Sequence, residues 1–262
     1  MQSLEGRVAL VTGSTRGLGL AIGKGLGAAG ARVVLHGLER ADEAVAAVAD
    51  AGEGAANGVH YMSADLSDPA AINAMIAAVE KDVGPIDIVI NNAVVRHFSP
   101  VETFPRARWD EALAVNLTAP FHIIQKTLPH MRRQNWGRIV NMSSGYGFFA
   151  DADRIDYVTT KTALLGLTRA VALETARSGI TCNAICPGSV LTPAIQGRVD
   201  ALAEREGLDE AQAIERYLED RQPSRRFVRP EDVAQMILFI CGPAGRDMSG
   251  AAIPIDGAWL AS

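Results

Sequence analysis

The chain has 262 residues, 48% of them hydrophobic, enough to bury one full core without a second domain. A net charge of -5 and an isoelectric point near 5.6, with no basic stripe, argue against nucleic acid as the main partner. The opening "MQSLEGRVAL" has no signal-like apolar stretch and "MILFIC" (236–241) is too short to span a bilayer, so no membrane partner and a cytoplasmic location are expected.

In chain order, short apolar runs alternate with longer helical stretches. Strands are predicted at 7–12, 31–36, 59–64, 86–91, 137–142, 180–185 and 251–256. Most are apolar on both faces, as in a parallel sheet covered by helices. Helices are predicted at 17–29, 41–51, 69–83, 106–133, 155–178 and 230–241. The alternation predicts a single-domain α/β fold with a doubly wound, Rossmann-type parallel sheet of about seven strands, binding its ligand beyond the carboxyl ends of the strands.

The first strand leads into "TGSTRGLG" (12–19), which opens the first helix. Gly13, Gly17 and Gly19 allow a tight turn and close backbone approach, and the N–H groups of the helix start can hold a pyrophosphate. A dinucleotide is therefore expected here, with Thr15, Arg16 and Leu18 in the same turn. The second strand ends "HGLER" (36–40), placing Leu38 beside the cofactor. Glu39, slightly further on, would repel a 2′-phosphate, whereas Arg16 would attract one. NAD is favoured, with NADP possible.

Further along, Pro120 stands four residues after Asn116 inside a predicted helix. Lacking an N–H, it should free the Asn116 carbonyl for another partner, such as a water. "YVTTK" puts Tyr157 and Lys161 on one helix face, where a cation would lower the phenol pKa from its usual value near 10. The cysteines, 182 and 186 in "ITCNAICP" and 241, show no CxxC or metal spacing; buried thiols in a reducing compartment, and no metal, are expected. Residues 192–221 form a charged helical insertion where a short loop would suffice, a candidate lid over the ligand.

Together, "TGSTRGLG", "NNAV" (91–94), Asn116, "IVNMSS" (139–144), "YVTTK" and "CPGSVLTP" (186–193) resemble the short-chain dehydrogenase/reductase family in order and spacing, over essentially the whole chain. Val94 departs from the family's usual glycine and is expected to crowd the wall beside the cofactor. The resemblance implies an NAD(P)-dependent oxidoreductase acting on a CH–OH group. It implies that Ser144 binds the substrate oxygen and Tyr157 is the acid–base. Lys161 then holds the cofactor ribose and tunes Tyr157, and Asn116 holds a relay water. Asp65, Leu66 and Asn92 would flank the adenosine and ribose, and Val190 and Thr192 would meet the nicotinamide amide.

Segments such as "ALAVNLTAPFH" and "QPSRRFVRPED" are similar to a branch acting on short 3-hydroxy acids. That implies a homotetramer, NAD and a small anionic hydroxy/oxo acid resembling 3-hydroxybutyrate. The branch holds the substrate carboxylate with two glutamines, a histidine and a lysine; the matching positions here are Arg96, Arg198, Tyr146 and Arg154. These arginines point either to a more oxygenated acid (a dicarboxylate or sugar acid) or to side chains turned to solvent or to lid acids. His97 matches a histidine of the branch and is a further pocket candidate. The full set of Asn116, Ser144, Tyr157 and Lys161 speaks against a cofactor-binding regulator without turnover.

Overall fold

The computed structural model describes residues 3–262, apart from the side chains at 193 and 194. Seven strands form one parallel sheet: β1 (Val8–Val11), β2 (Arg32–Gly37), β3 (Val59–Ser63), β4 (Ile88–Asn91), β5 (Gly137–Met142), β6 (Ile180–Pro187) and β7 (Ala252–Ile255). Their order is β3-β2-β1-β4-β5-β6-β7. All pairs are parallel, with Ala9 opposite both Val33 and Ile88. The order reverses between β1 and β4, where a doubly wound sheet opens a crevice for a ligand.

Alternation along β1 shows why these runs are apolar throughout. Ala9 and Val11 enter one core layer, with Ile22 and Leu26 of α1 (Gly17–Ala28) and Val233 and Ile237 of α9 (Pro230–Cys241). Val8 and Leu10 enter the other, with Ile72 and Ile76 of α3 (Pro69–Asp82) and Ile123 of α5 (Ala119–Gln134). Each of the valine, leucine and isoleucine side chains contributes about 1.5–3 kcal/mol on full burial.

Two helices differ from the sequence pattern. The second, α2, spans Val45–Gly52; Arg40 first closes a turn through Asp42 and the Glu43 carboxylate. The stretch predicted as one helix at 106–133 divides into α4 (Arg106–Leu113), a π-helical turn (Ala114–Thr118) and α5. In that turn the Ala119 N–H reaches the Ala114 carbonyl, five residues back. Pro120 explains the widening, since it has no N–H for the Asn116 carbonyl and its ring crowds that group.

After β5 comes α6 (Ile155–Thr175). Between β6 and α9 the insertion forms α7 (Pro193–Glu206) and α8 (Glu210–Leu218). A capping box starts α8, with Asp209 and Gln212 exchanging bonds to each other's backbone N–H. The insertion's two ends meet. Val190 and Val228 form a parallel bridge, the Val228 N–H donates to the Ser189 carbonyl (2.8 Å), and buried Gln222 accepts from the Ser189 N–H (2.9 Å). Among the described residues, no helix is long and apolar enough to cross a membrane.

Candidate active site

The glycine turn is held from three sides. Asn92 Nδ2 donates to the Thr12 and Gly13 carbonyls (2.9 and 2.8 Å). The Thr12 hydroxyl accepts from the Asn92 and Ala93 N–H groups (2.9 and 3.0 Å). His36, 3% exposed, accepts from the Gly13 N–H at Nδ1 (3.1 Å), which leaves Nε2–H to donate to the Ala64 carbonyl (3.0 Å). This pattern needs a neutral ring, and burial pushes the His36 pKa down. Asn92 thus braces the turn through Nδ2 and its backbone N–H.

The turn fits a dinucleotide. A methyl on Gly19 would collide with the Gly13 carbonyl, and one on Gly13 would stand 2.8 Å from Ala93 Cα. At Gly17, where φ is +55°, it would meet nothing, so the outer face is open. Arg16 is exposed at the α1 N-cap. The Thr15 hydroxyl donates to Glu39 Oε1 (3.1 Å), while Glu39 Oε2 is buried without a hydrogen-bond partner among the described residues. The Glu39 backbone N–H, then the Thr15 hydroxyl and the Arg16 charge, hold this carboxyl below its usual range, hence ionised.

The other cofactor candidates stand as follows. Leu38 is 74% exposed beside Glu39. Leu18 is half-buried against the core and Leu66 buried within it, so Leu66 has only its backbone to offer a ligand. Asp65 Oδ1 accepts from the Ser67 N–H and hydroxyl (2.8 and 2.7 Å). Val190 lies at the neck of the insertion, and the Thr192 hydroxyl caps α7 by accepting from the Ile195 N–H (3.3 Å). Val94 is 41% exposed.

The catalytic candidates converge at the end of β5. Ser144 directly follows Ser143, whose hydroxyl donates to the Lys161 carbonyl (2.8 Å). Tyr157 lies in the first turn of α6 and Lys161 one turn later, its Nζ 5.4 Å from the phenol ring centre. Lys161 is 3% exposed and donates to the Met142 carbonyl (2.6 Å). Burial pushes Lys161 down to about 7, with Arg96 adding to the effect against Cys186. Burial pushes Tyr157 up, opposed by the Ser144 hydroxyl, Arg96 and Arg154. The lowering of the phenol expected from a nearby cation is outweighed. In this structure burial dominates, and the charges that pull Tyr157 down are the two arginines.

The Asn116 side chain clips the loop after β4. Its Oδ1 accepts from the Val95 N–H and its Nδ2 donates to the Val95 carbonyl, both at 2.8 Å. Nδ2 also reaches the Thr160 hydroxyl (3.3 Å). These bonds tie the side-chain amide to the loop after β4 and to α6.

Beyond Tyr157 lies an aromatic and cationic wall. Tyr146 meets Tyr157 edge-on (5.9 Å between centroids) and packs on Trp259 (5.5 Å). Its hydroxyl donates to Asp151 Oδ2 (3.3 Å), so Tyr146 supplies a ring rather than a free donor. Arg154 lies over Phe98 (4.6 Å) and Tyr146 (5.0 Å), and Arg198 lies 5.7 Å from Phe98. His97 turns away, its Nε2 3.1 Å from Glu111.

Sequence reasoning missed His36, Phe98 and Asp156. Asp156 is 1% exposed; its carboxylate accepts from the His97 and Tyr157 N–H groups (3.0 and 2.7 Å) and so fixes Tyr157 against the loop. An acid in the first turn of that helix was the available signal.

The family comparison agrees with this arrangement. Residues 7–203 match the model of the short chain dehydrogenase family. The chain is 43% identical to the D-beta-hydroxybutyrate dehydrogenase of Cupriavidus necator, covering 98% of this chain and 99% of that one. It is 40% identical to the enzyme of that name from Rhizobium meliloti, over 97% and 99%. Among solved structures it is similar to L-sorbose reductase from Gluconobacter frateurii complexed with NADPH and L-sorbose, at a TM-score of 0.92, 26% identity and coverage of 100% and 99%. With a glycine turn at the sheet's switch point and a serine, tyrosine and lysine at the end of β5, the chain belongs to the short chain dehydrogenase family and is an NAD(P)-dependent oxidoreductase acting on a hydroxyl group.

Proposed function

We propose that the protein interconverts a small hydroxy acid, 3-hydroxybutyrate-like, and its oxo acid, using NAD. The two hydroxybutyrate dehydrogenases support the substrate class, and Arg154 beside Tyr146 and Tyr157 supplies a fork for its carboxylate. Ser144 orients the carbinol oxygen, and Tyr157 takes its proton on oxidation and returns it on reduction. The nicotinamide cofactor, when bound, accepts or supplies the hydride. The turn from Gly13 to Gly19 would hold its pyrophosphate. Lys161 would hold its ribose, and Asn116 a relay water. The insertion acts as the lid of a single domain. The enzyme works in the cytoplasm as a homotetramer, which would cover the exposed α6 face that carries Leu173, 80% exposed.

The test is an initial-rate panel with NAD and NADP over D-3-hydroxybutyrate, other short hydroxy acids and aldonates. Turnover of hydroxy acids with NAD is the expected result, and turnover of neutral ketoses alone would overturn it.

The NAD reading rests on Glu39. Its ionised carboxylate, tied to Thr15 of the glycine turn, would accept from a ribose 2′-OH and repel a 2′-phosphate. Glu39→Gln should lower kcat/KM for NAD about tenfold and raise the NADP/NAD ratio by more. Cofactor titration followed by protein fluorescence should show the same shift in Kd. Unchanged preference would transfer the discrimination to Arg16.

A further inference from the structure

Helix α6 begins without the usual cap. Its N-cap residue is Arg154, whose side chain makes no hydrogen bond to the helix N–H groups and lies over Phe98 and Tyr146 instead. A cation there also opposes the positive end of the helix dipole. Asp156, the second residue of the helix, supplies the missing acceptor, its Oδ1 taking the Tyr157 N–H at 2.7 Å. Its Oδ2 takes the His97 N–H at 3.0 Å. The side chain is buried, and no cation pairs with it among the described residues. Each oxygen faces an N–H donor, the arrangement of a carboxylate anion. Only a carboxylate can serve both donors: asparagine would set its own NH2 against one of them, and serine has a single oxygen.

The His97 bond is the middle one of three along the start of α6. Before it, Asn116 holds the Val95 N–H and carbonyl and reaches the Thr160 hydroxyl. After it, the Ser99 N–H donates to the Asp153 carbonyl (3.2 Å). Of the three, the attachment at His97 also holds the backbone of Tyr157. Phe98, beside it, is the ring on which Arg154 rests. Asp156 therefore joins two parts that the reaction must keep in register: the phenol, and the Phe98–Arg154 seat for the substrate carboxylate.

Burial acts first on the phenol; the Ser144 hydroxyl, Arg96 and Arg154 then favour phenolate, and Asp156 opposes it. Lys161 stands one turn on, its Nζ 5.4 Å from the ring centre, and Tyr146 meets the ring edge-on. The other nearby acids are engaged elsewhere, Asp151 with Arg154 and Tyr146, and Glu111 with His97. Asp156 is the acid bonded to the Tyr157 residue itself.

We propose that Asp156 is a positioning residue of the reaction: it fixes the Tyr157 turn to the substrate loop, and its negative charge holds the phenol in the proton-donating form that reduction of the oxo acid uses. This rests on the acid–base role given to Tyr157 above.

The test is a pH series of oxidation and reduction rates for the wild type, Asp156→Asn, Asp156→Ser and Asp156→Glu. Asp156→Asn keeps the shape and removes the charge. Asp156→Ser also removes it but leaves an acceptor at the helix start, which guards the fold. In both, kcat should fall about ten- to a hundredfold as the phenol loses register. NAD Kd, read by fluorescence, should stay within about twofold. With the charge gone phenolate forms more readily, so the rise of the oxidation rate should move to lower pH, and the fall of the reduction rate should move with it. Asp156→Glu, which keeps the charge, should leave both limbs at their wild-type positions. Limbs that stay put in Asp156→Asn and Asp156→Ser reduce the residue to a structural cap, and a wild-type kcat in both removes the positioning role; either result overturns the proposal while the acid–base reading stands. Wild-type rates in Tyr157→Phe would overturn that reading, and this inference with it.

Discussion

Replacing Tyr157 by Phe lowers kcat about a thousandfold or more and leaves the dinucleotide bound. A positioned general acid–base contributes about 10²–10⁴ in rate, and removing the phenol oxygen deletes the group while keeping the ring. The ring matters to the wall, since Tyr146 meets it edge-on. The glycine turn and Glu39 belong to other segments, so cofactor Kd should stay within about twofold and thermal stability within about 1 kcal/mol. Steady-state rates, a fluorescence titration with NAD and a melting curve check the three parts. A variant within tenfold of wild type would remove the phenol from its role. Burial holds the wild-type phenol above its ordinary range, so phenolate, the base needed for oxidation, becomes more populated as pH rises. The wild-type oxidation rate should therefore climb with pH, and the variant's residual rate should lose that climb.

The second large effect is at Gly19. In Gly19→Ala the new methyl collides with the Gly13 carbonyl and stands 2.6 Å from Asn92 Nδ2 and 2.8 Å from Ser14 Cα. Two of these neighbours are backbone, and the third is the amide that braces the turn, so none yields cheaply. Overpacking of this kind costs about 1–3 kcal/mol. For a chain of this size that lowers the melting temperature by roughly 2–4 °C per kcal/mol. Dinucleotide Kd should rise at least a hundredfold, because the turn that presents the N–H groups must open. Gly52→Ala is the matched control. It ends α2, its methyl would meet nothing, and it should leave cofactor affinity unchanged. Unchanged affinity in Gly19→Ala would mean that the turn is not the cofactor's seat.

The sheet was legible because burial on both faces forces an apolar run, and such runs stand out in any reading of the chain. Ser144, Tyr157 and Lys161 were legible because one strand end and one helix turn carry them. What stayed hidden pairs a side chain with backbone far away in sequence. His36 reaches Gly13, Asn116 reaches Val95, and Asp156 reaches the His97 N–H. No periodicity encodes those partners. The Tyr157–Lys161 spacing was read correctly as a shared face, yet the sign of the phenol shift was not. Burial depends on everything packed around the pair, and here it outweighs the nearby positive charges. Likewise Pro120 announced a fault in the helix, but the form of the fault, a π turn, depends on how the neighbouring carbonyls settle.

The neck of the insertion has a consequence of its own. Val190 and Val228 sit opposite each other in a single parallel bridge, so the chain leaves and re-enters the body across a gap of about 5 Å. A loop pinned in this way imposes little on what lies beneath it. Doubling its length would cost only about 0.6 kcal/mol in closure entropy, and shortening it need not pull on β6 or α9. The segment carrying Arg198 can thus gain, lose or exchange helices while the sheet and glycine turn keep their shape. Changes in length or helix content between Val190 and Val228 should therefore be tolerated by the sheet and the glycine turn alike.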